Sequence, residues 1–98
     1  MPGVARKGDD VLTGHGCDVT TTILEHSPDV FADGIAVARK GDMLTPHTIN
    51  SGVLCVPHIA QINAGSGTVF VNGIAIARKT DSADMGNIVG SSSTVFAN

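Results

Sequence analysis

At 98 residues and a formal net charge of −3, the chain has room for one small core and lacks the basic excess that draws proteins to nucleic acid. Its only aromatics are Phe31, Phe70 and Phe96, and no apolar run is long enough for a membrane-spanning helix. Two cysteines and four histidines leave a disulfide and a metal both open as staples.

In chain order, Met1 to Asp10 reads as a turn and a short strand, with Gly3 and Gly8 bracketing Val4-Ala5-Arg6. This start lacks the apolar core of a signal peptide, so no export signal is expected. Next comes Gly14-His15-Gly16-Cys17, where flanking glycines let backbone fold tightly around a ligand-bearing side chain. Val19 to Leu24 is β-branched and reads as a strand.

Val30-Phe31-Ala32-Asp33-Gly34 then runs into Ile35-Ala36-Val37-Ala38-Arg39-Lys40. An apolar strand, Asp-Gly and a second apolar strand predict a hairpin with a type I′ turn. The unit returns as Val69-Phe70-Val71-Asn72-Gly73 and Ile74-Ala75-Ile76-Ala77-Arg78-Lys79, and its second half opens the chain as Val4-Ala5-Arg6-Lys7. Internal repetition of this kind sets the architecture. Met43 to Ala64 and Asp81 to Ser91, rich in Thr, Gly, Pro, Asn and Ser, read as long loops, and no window is convincingly amphipathic as a helix. The chain ends on Thr94-Val95-Phe96-Ala97-Asn98, a Val-Phe strand without its Ala-Arg-Lys partner. Pairing the last strand with the first would close three units into a pseudo-threefold ring and hide the exposed edges. The expectation is one all-β domain over residues 1–98, with three hairpin repeats and long loops.

All six basic residues belong to the three Arg-Lys pairs, each close to an Asp. Local ion pairs on three related faces are expected, not a nucleic-acid surface. No Gly-x-Ser-x-Gly, His-Glu-x-x-His or phosphate-loop pattern occurs, so no enzyme activity is expected.

A scaffold this small needs a staple. Aligned on Gly8-Asp9 and Gly41-Asp42, His15 and His47 are repeat equivalents, and the third repeat offers Met85 at about that place. Cys55-Val56-Pro57-His58 has a spacing short enough for both side chains to reach one metal. Three imidazoles and one thiolate make a closed tetrahedral site of the structural zinc type. Cys17, in His15-Gly16-Cys17, rivals Cys55 for the sulfur position. Without an export signal, reduced thiols or ligands are favoured over a disulfide. His26, at the approach to a hairpin, reads as a solvent or turn residue.

The three Ala-Arg units, the Gly14-His15-Gly16-Cys17 loop, the Val69-Phe70-Val71-Asn72-Gly73 strand and turn, and the Ser-Ser-Thr-Val-Phe ending together resemble the PAAR-repeat family over essentially the whole chain. The resemblance implies a small cone-shaped β domain with a metal, usually zinc, near its apex. It further implies a broad base seated on a trimeric β-helical spike, either VgrG of type VI secretion or the central spike of a contractile phage tail. One chain would cap each trimer, sharpening it for contact with the target cell membrane. The implied location is the tip of a virion tail or baseplate, or the bacterial cytoplasm before delivery. Family members similar to this chain carry a Cys before a Gly in the third-repeat loop, where Met85-Gly86 stands here. The expected ligand set is therefore His15, His47, His58 and Cys55, around zinc or, as the alternative, iron. A small zinc hydrolase, an adaptor that tethers effectors, and a disulfide-linked secreted repeat protein are the competing readings.

Overall fold

The computed structural model describes residues 1–98. Ten short strands and no helix make up the chain: β1 (Asp10–Leu12), β2 (Thr20–Thr22), β3 (Phe31–Ala32), β4 (Ile35–Ala36), β5 (His47–Ser51), β6 (Leu54–His58), β7 (Phe70–Val71), β8 (Ile74–Ala75), β9 (Ser82–Ala83) and β10 (Gly86–Ile88). The all-β expectation holds, and the repeat sets the geometry. In the β3–β4 and β7–β8 hairpins, Phe31 faces Ala36 and Phe70 faces Ala75. Both turns have two successive positive φ angles, at Asp33-Gly34 and Asn72-Gly73, as type I′ requires. The third hairpin is built from the two ends of the chain: Gly3 bridges Phe96, and Val4 N–H donates to the Val95 carbonyl. The ring therefore closes as its unpaired first and last strands require.

Its axis explains the alanines. Ala5 N–H donates to Ala77, Ala77 to Ala38 and Ala38 to Ala5, a cyclic triangle of backbone bonds of 2.9, 3.0 and 2.9 Å. All three residues are fully buried. Three side chains converge there, and larger ones would overpack the axis. On one side of the triangle lies an apolar layer of Val4, Ala32, Val37, Val71, Ile76 and Ala97. The alanines themselves belong to a second layer with Val11, Ile23, Leu44, Ile62, Ala83 and Ile88. Within that layer Ile23, Ile62 and Ile88 play one role three times. Each carbonyl accepts from Gly8, Gly41 or Thr80, and each N–H donates to the carbonyl of Asp9, Asp42 or Asp81.

Each arginine clamps the aspartate three residues on. Arg6–Asp9, Arg39–Asp42 and Arg78–Asp81 share one geometry, with the backbone N–H and Nε on one carboxylate oxygen and a terminal guanidinium nitrogen on the other. These are the local ion pairs expected from the sequence. A second ring locks each repeat to the next through a buried serine. Ser27 donates to Asn72, Ser92 to Asp33 and Ser66 to the Asn98 carbonyl. Every one of these serines also caps its own turn by accepting two backbone N–H groups, such as those of Asp29 and Val30 at Ser27.

Two stretches that read as loops carry strands. Met43 to Ala64 contains the longest hairpin, β5–β6, paired in register from His47↔His58 to Ser51↔Leu54. Its turn has positive φ at Gly52 only, the pattern of a type II′ turn. Asp81 to Ser91 contains β9–β10, which completes a four-stranded antiparallel sheet of order β2-β1-β10-β9. Short polar strands escaped the sequence pattern because neither face of them is uniformly apolar. The molecule is elongated, 41 × 24 × 21 Å.

The cysteines correct two expectations. Cys17 and Cys55 form a disulfide with their Cα atoms 5.9 Å apart, and no free thiol remains. Cys55 is therefore not a metal ligand, and Cys17 does not replace it. In the extended β6 strand, residues three apart face opposite sides, so Cys55 points away from the face that carries His58. Cys17, at φ 66°, breaks the extended path that would have aligned it with His15. A bond closing a sequence separation of 38 restricts the unfolded chain by about 4 kcal/mol in the loop-entropy model.

Candidate metal centre

The elements beyond the second apolar layer bring four side chains together. His15 follows β1 on a loop pinned by fully buried Thr13, whose Oγ1 donates to the Asp18 carbonyl at 2.7 Å. Gly14 has φ 80°, and a Cβ there would overlap the Met85 carbonyl. Only glycine lets this loop lie against the β9–β10 turn. His47 and His58 begin β5 and end β6 as a directly paired couple. The fourth member is Asp84, in the β9–β10 turn at φ 54°.

The three ring centroids are 5.1 to 5.2 Å apart, with His15 and His47 stacked and His58 edge-on to both. Asp84 Oδ2 lies 2.8 Å from Nε2 of both His15 and His47, and Oδ1 lies 3.2 Å from His58 Nε2. The Nε2 atoms of His15 and His47 are 3.3 Å apart. Side-chain exposure is 4% for His15 and 3% for His47 and Asp84, against 27% for His58. The cluster thus opens to solvent along the His58 edge.

Tautomers follow from the outer partners. His15 Nδ1 faces the Gly16 carbonyl at 3.0 Å and His47 Nδ1 faces the Thr45 carbonyl at 2.9 Å. A carbonyl only accepts, so each Nδ1 carries the proton, and in the neutral ring Nε2 directs its lone pair inward. Lone pairs and carboxylate oxygens then crowd one small volume, an arrangement that calls for a cation. Protons meet that demand in part. Burial pushes His15 down, but the Gly16 carbonyl and the Asp84 carboxylate outweigh it and raise its pKa above the ordinary imidazole value. Burial pushes Asp84 up, yet hydrogen bonds from His15, His58 and His47 hold it below the usual carboxylate range.

A metal meets the demand better. All four donor atoms lie within 4.8 Å of one another. The closest spacings, 2.8 to 3.3 Å, approach the edge of about 3.3 Å in a tetrahedron with ligand bonds near 2.0 Å. The Nδ1–H···O=C bonds are the outer contacts that orient ligating imidazoles. The residues fit a four-coordinate divalent ion of the zinc type, with borderline nitrogen donors and one carboxylate.

The structure thus brings together His15, His47 and His58 as the sequence grouped them, and puts Asp84 where a cysteine was expected. Alignment on Gly-Asp pointed one residue too far, to Met85, which is 66% exposed. A signal for Asp84 was present. After Asp81 it is the only His, Cys, Asp or Glu in the chain. His26 stands apart, with Nδ1 near the Ser27 carbonyl at 2.8 Å.

At the opposite side of the axial triangle the hairpins present an apolar surface. Phe31 and Phe70 are each 59% exposed and Phe96 49%, with Val30, Ile35, Ile74 and Val95 also exposed beside them. The three phenylalanines occupy equivalent places in the three repeats. Among known families, the model described as the PAAR motif matches residues 13–91. No curated protein matches the chain.

Proposed function

Because the chain belongs to the PAAR-motif family, a structural family associated with the spike tips of contractile injection machines, we propose that it caps and sharpens the trimeric β-helical spike of such a machine. The carrying observation is the exposed triad of Phe31, Phe70 and Phe96, presented in three equivalent hairpins by a single chain. An apolar surface that repeats three times about an axis matches a threefold partner without large mismatch, and its burial supplies the driving force for docking. Members of this family associate with spike proteins such as VgrG. One chain per trimer is the stoichiometry that pseudo-threefold symmetry favours. The platform would be a phage baseplate or a type VI apparatus, and the tip would meet the target envelope first.

In this reading the metal is structural. When bound it supplies cross-linking free energy to an end of the molecule that has little apolar core of its own. His15, His47, His58 and Asp84 would hold it, tying the loop after β1, both strands of the β5–β6 hairpin and the β9–β10 turn to one point. Four protein donors would complete a tetrahedral sphere and leave no open position for a reacting water. The hydrolase alternative, which requires an open position, gains no support from that ligand set.

The test is co-purification with a trimeric β-helical spike fragment, read by light scattering. One chain bound per trimer, with binding lost in a triple Phe31→Ser, Phe70→Ser, Phe96→Ser variant that still folds, is expected. Undiminished binding by that variant would overturn the docking surface.

A further inference from the structure

We propose that the Cys17–Cys55 disulfide is a redox latch on the metal centre, open while metal enters and closed to retain it. This rests on the metal reading above. Three observations carry it. First, the latch lies among the ligands: His15 is two residues before Cys17, His58 is three residues after Cys55, and His47 lies inside the loop that the bond closes. Three of the four donors are thus held by a cross-link that does not involve the metal. Second, both cysteines are solvent-exposed, so an attacking thiolate or a small disulfide can reach them. Third, Cys17 sits in the left-handed region at φ 66°, a conformation that a non-glycine residue holds only when its surroundings impose it. Freed of the bond, Cys17 can relax towards ordinary backbone angles. Its neighbours Gly16 and His15 would move with it, against the Gly16 N–H bond to Asn50 Oδ1 at 3.1 Å and the Thr13 Oγ1 bonds to the His15 backbone at 3.3 and 3.4 Å. The Asp18 N–H bond to the Thr48 carbonyl at 3.1 Å anchors the far side.

The chemistry balances by exchange with a low-molecular-weight disulfide such as oxidised glutathione. One cysteine loses its proton and attacks, expelling one small thiolate and leaving a mixed disulfide. The second thiolate then displaces the other small thiol. Two protein S–H bonds are lost, one S–S bond forms, and the electron pair leaves on two small thiols. In a reducing compartment the latch stands open. Once it is closed, the segments bearing His15 and His58 stay close together even when one ligand lets go, and rebinding outpaces escape.

Zinc-loaded protein would be mixed with a chromophoric chelator in three forms: oxidised wild type, wild type reduced by a phosphine, and a Cys17→Ser/Cys55→Ser variant without reductant. The oxidised form is expected to release zinc more slowly than the other two by about tenfold or more. Hydrogen exchange of zinc-loaded wild type, with and without reductant, supplies a readout that needs no variant, and amides of residues 47–58 should exchange faster on reduction. Zinc that binds but leaves all three forms at one rate overturns the latch alone. If the variant does not fold, unchanged exchange on reduction of wild type does the same. A protein that takes up no zinc in either redox state overturns the metal reading and the latch with it.

Discussion

Asn72→Asp is a one-atom change whose consequence is written in another repeat. Asn72 Nδ2 donates to Asp29 Oδ1 at 2.8 Å, while its Oδ1 accepts from Ser27 and, at 3.2 Å, from Arg39. The equivalent pair elsewhere is Thr94 and Asp33, where the threonine hydroxyl donates to the carboxylate and Arg6 pairs with it at 3.1 Å. Acid faces amide in one junction and hydroxyl faces acid in the other. Asn72→Asp would set two carboxylates against each other. Losing a hydrogen bond to a charged acceptor costs about 1 kcal/mol at this exposed site. Repulsion at contact distance adds about 1 kcal/mol in a water-like dielectric, and a new ion pair with Arg39 returns roughly 0.5 kcal/mol. The net loss is about 1.5 kcal/mol, or a fall in Tm of about 6–12 °C for a domain of this size.

Adding Asp29→Thr recreates the Thr94–Asp33 junction and should restore wild-type stability. Urea unfolding of both single variants and the double variant gives the coupling directly. Half-molar salt should shrink the single-variant loss by screening. An Asn72→Asp variant as stable as wild type, or a double variant no better than it, would refute the view that these junctions hold the ring shut.

Two further outcomes follow from repeat comparison. Thr80 has φ 77° where its counterparts are Gly8 at 83° and Gly41 at 89°, so Thr80→Gly should raise stability by about 1 kcal/mol, seen as a higher Tm; a lower Tm would contradict this. Asp33 is held below the ordinary carboxylate range by Ser92 and Thr94, with Arg6 contributing. Its stabilisation is complete above the unfolded carboxylate pKa and is lost as pH falls through the lower folded value. Asp33→Asn should flatten the acid limb of a stability-versus-pH curve below about pH 4, and an unaltered limb would show that the bond network contributes nothing there.

The frame of this molecule was more legible than its site. Ring closure could be read because a terminal Val-Phe strand and an initial Ala-Arg strand each lacked the partner that the internal repeats possess. The type I′ turns were visible in Asp33-Gly34 and Asn72-Gly73 because their chemistry is local. His15 and His47 could be paired because both follow a Gly-Asp by similar distances. The fourth ligand could not be copied across, because β9–β10 brings Asp84 in from a tight turn three residues after Asp81, a shorter path than either histidine takes. Cys55 misled for a related reason. Spacing of three suits a shared ligand on a loop or helix, but β6 is a strand, and a period of two sends Cys55 and His58 to opposite faces. In the β5–β6 hairpin, Cys55 on the face opposite His58 is free to pair with Cys17.

The His15–His47–His58–Asp84 centre is tested most directly by titrating the purified, oxidised protein with cobalt(II) as a spectroscopic stand-in for zinc. One equivalent bound per chain, with the visible bands of a tetrahedral site, no thiolate-to-metal charge-transfer band, and loss of binding in Asp84→Ala, is the predicted result. A thiolate charge-transfer band, or full binding by Asp84→Ala, would contradict it.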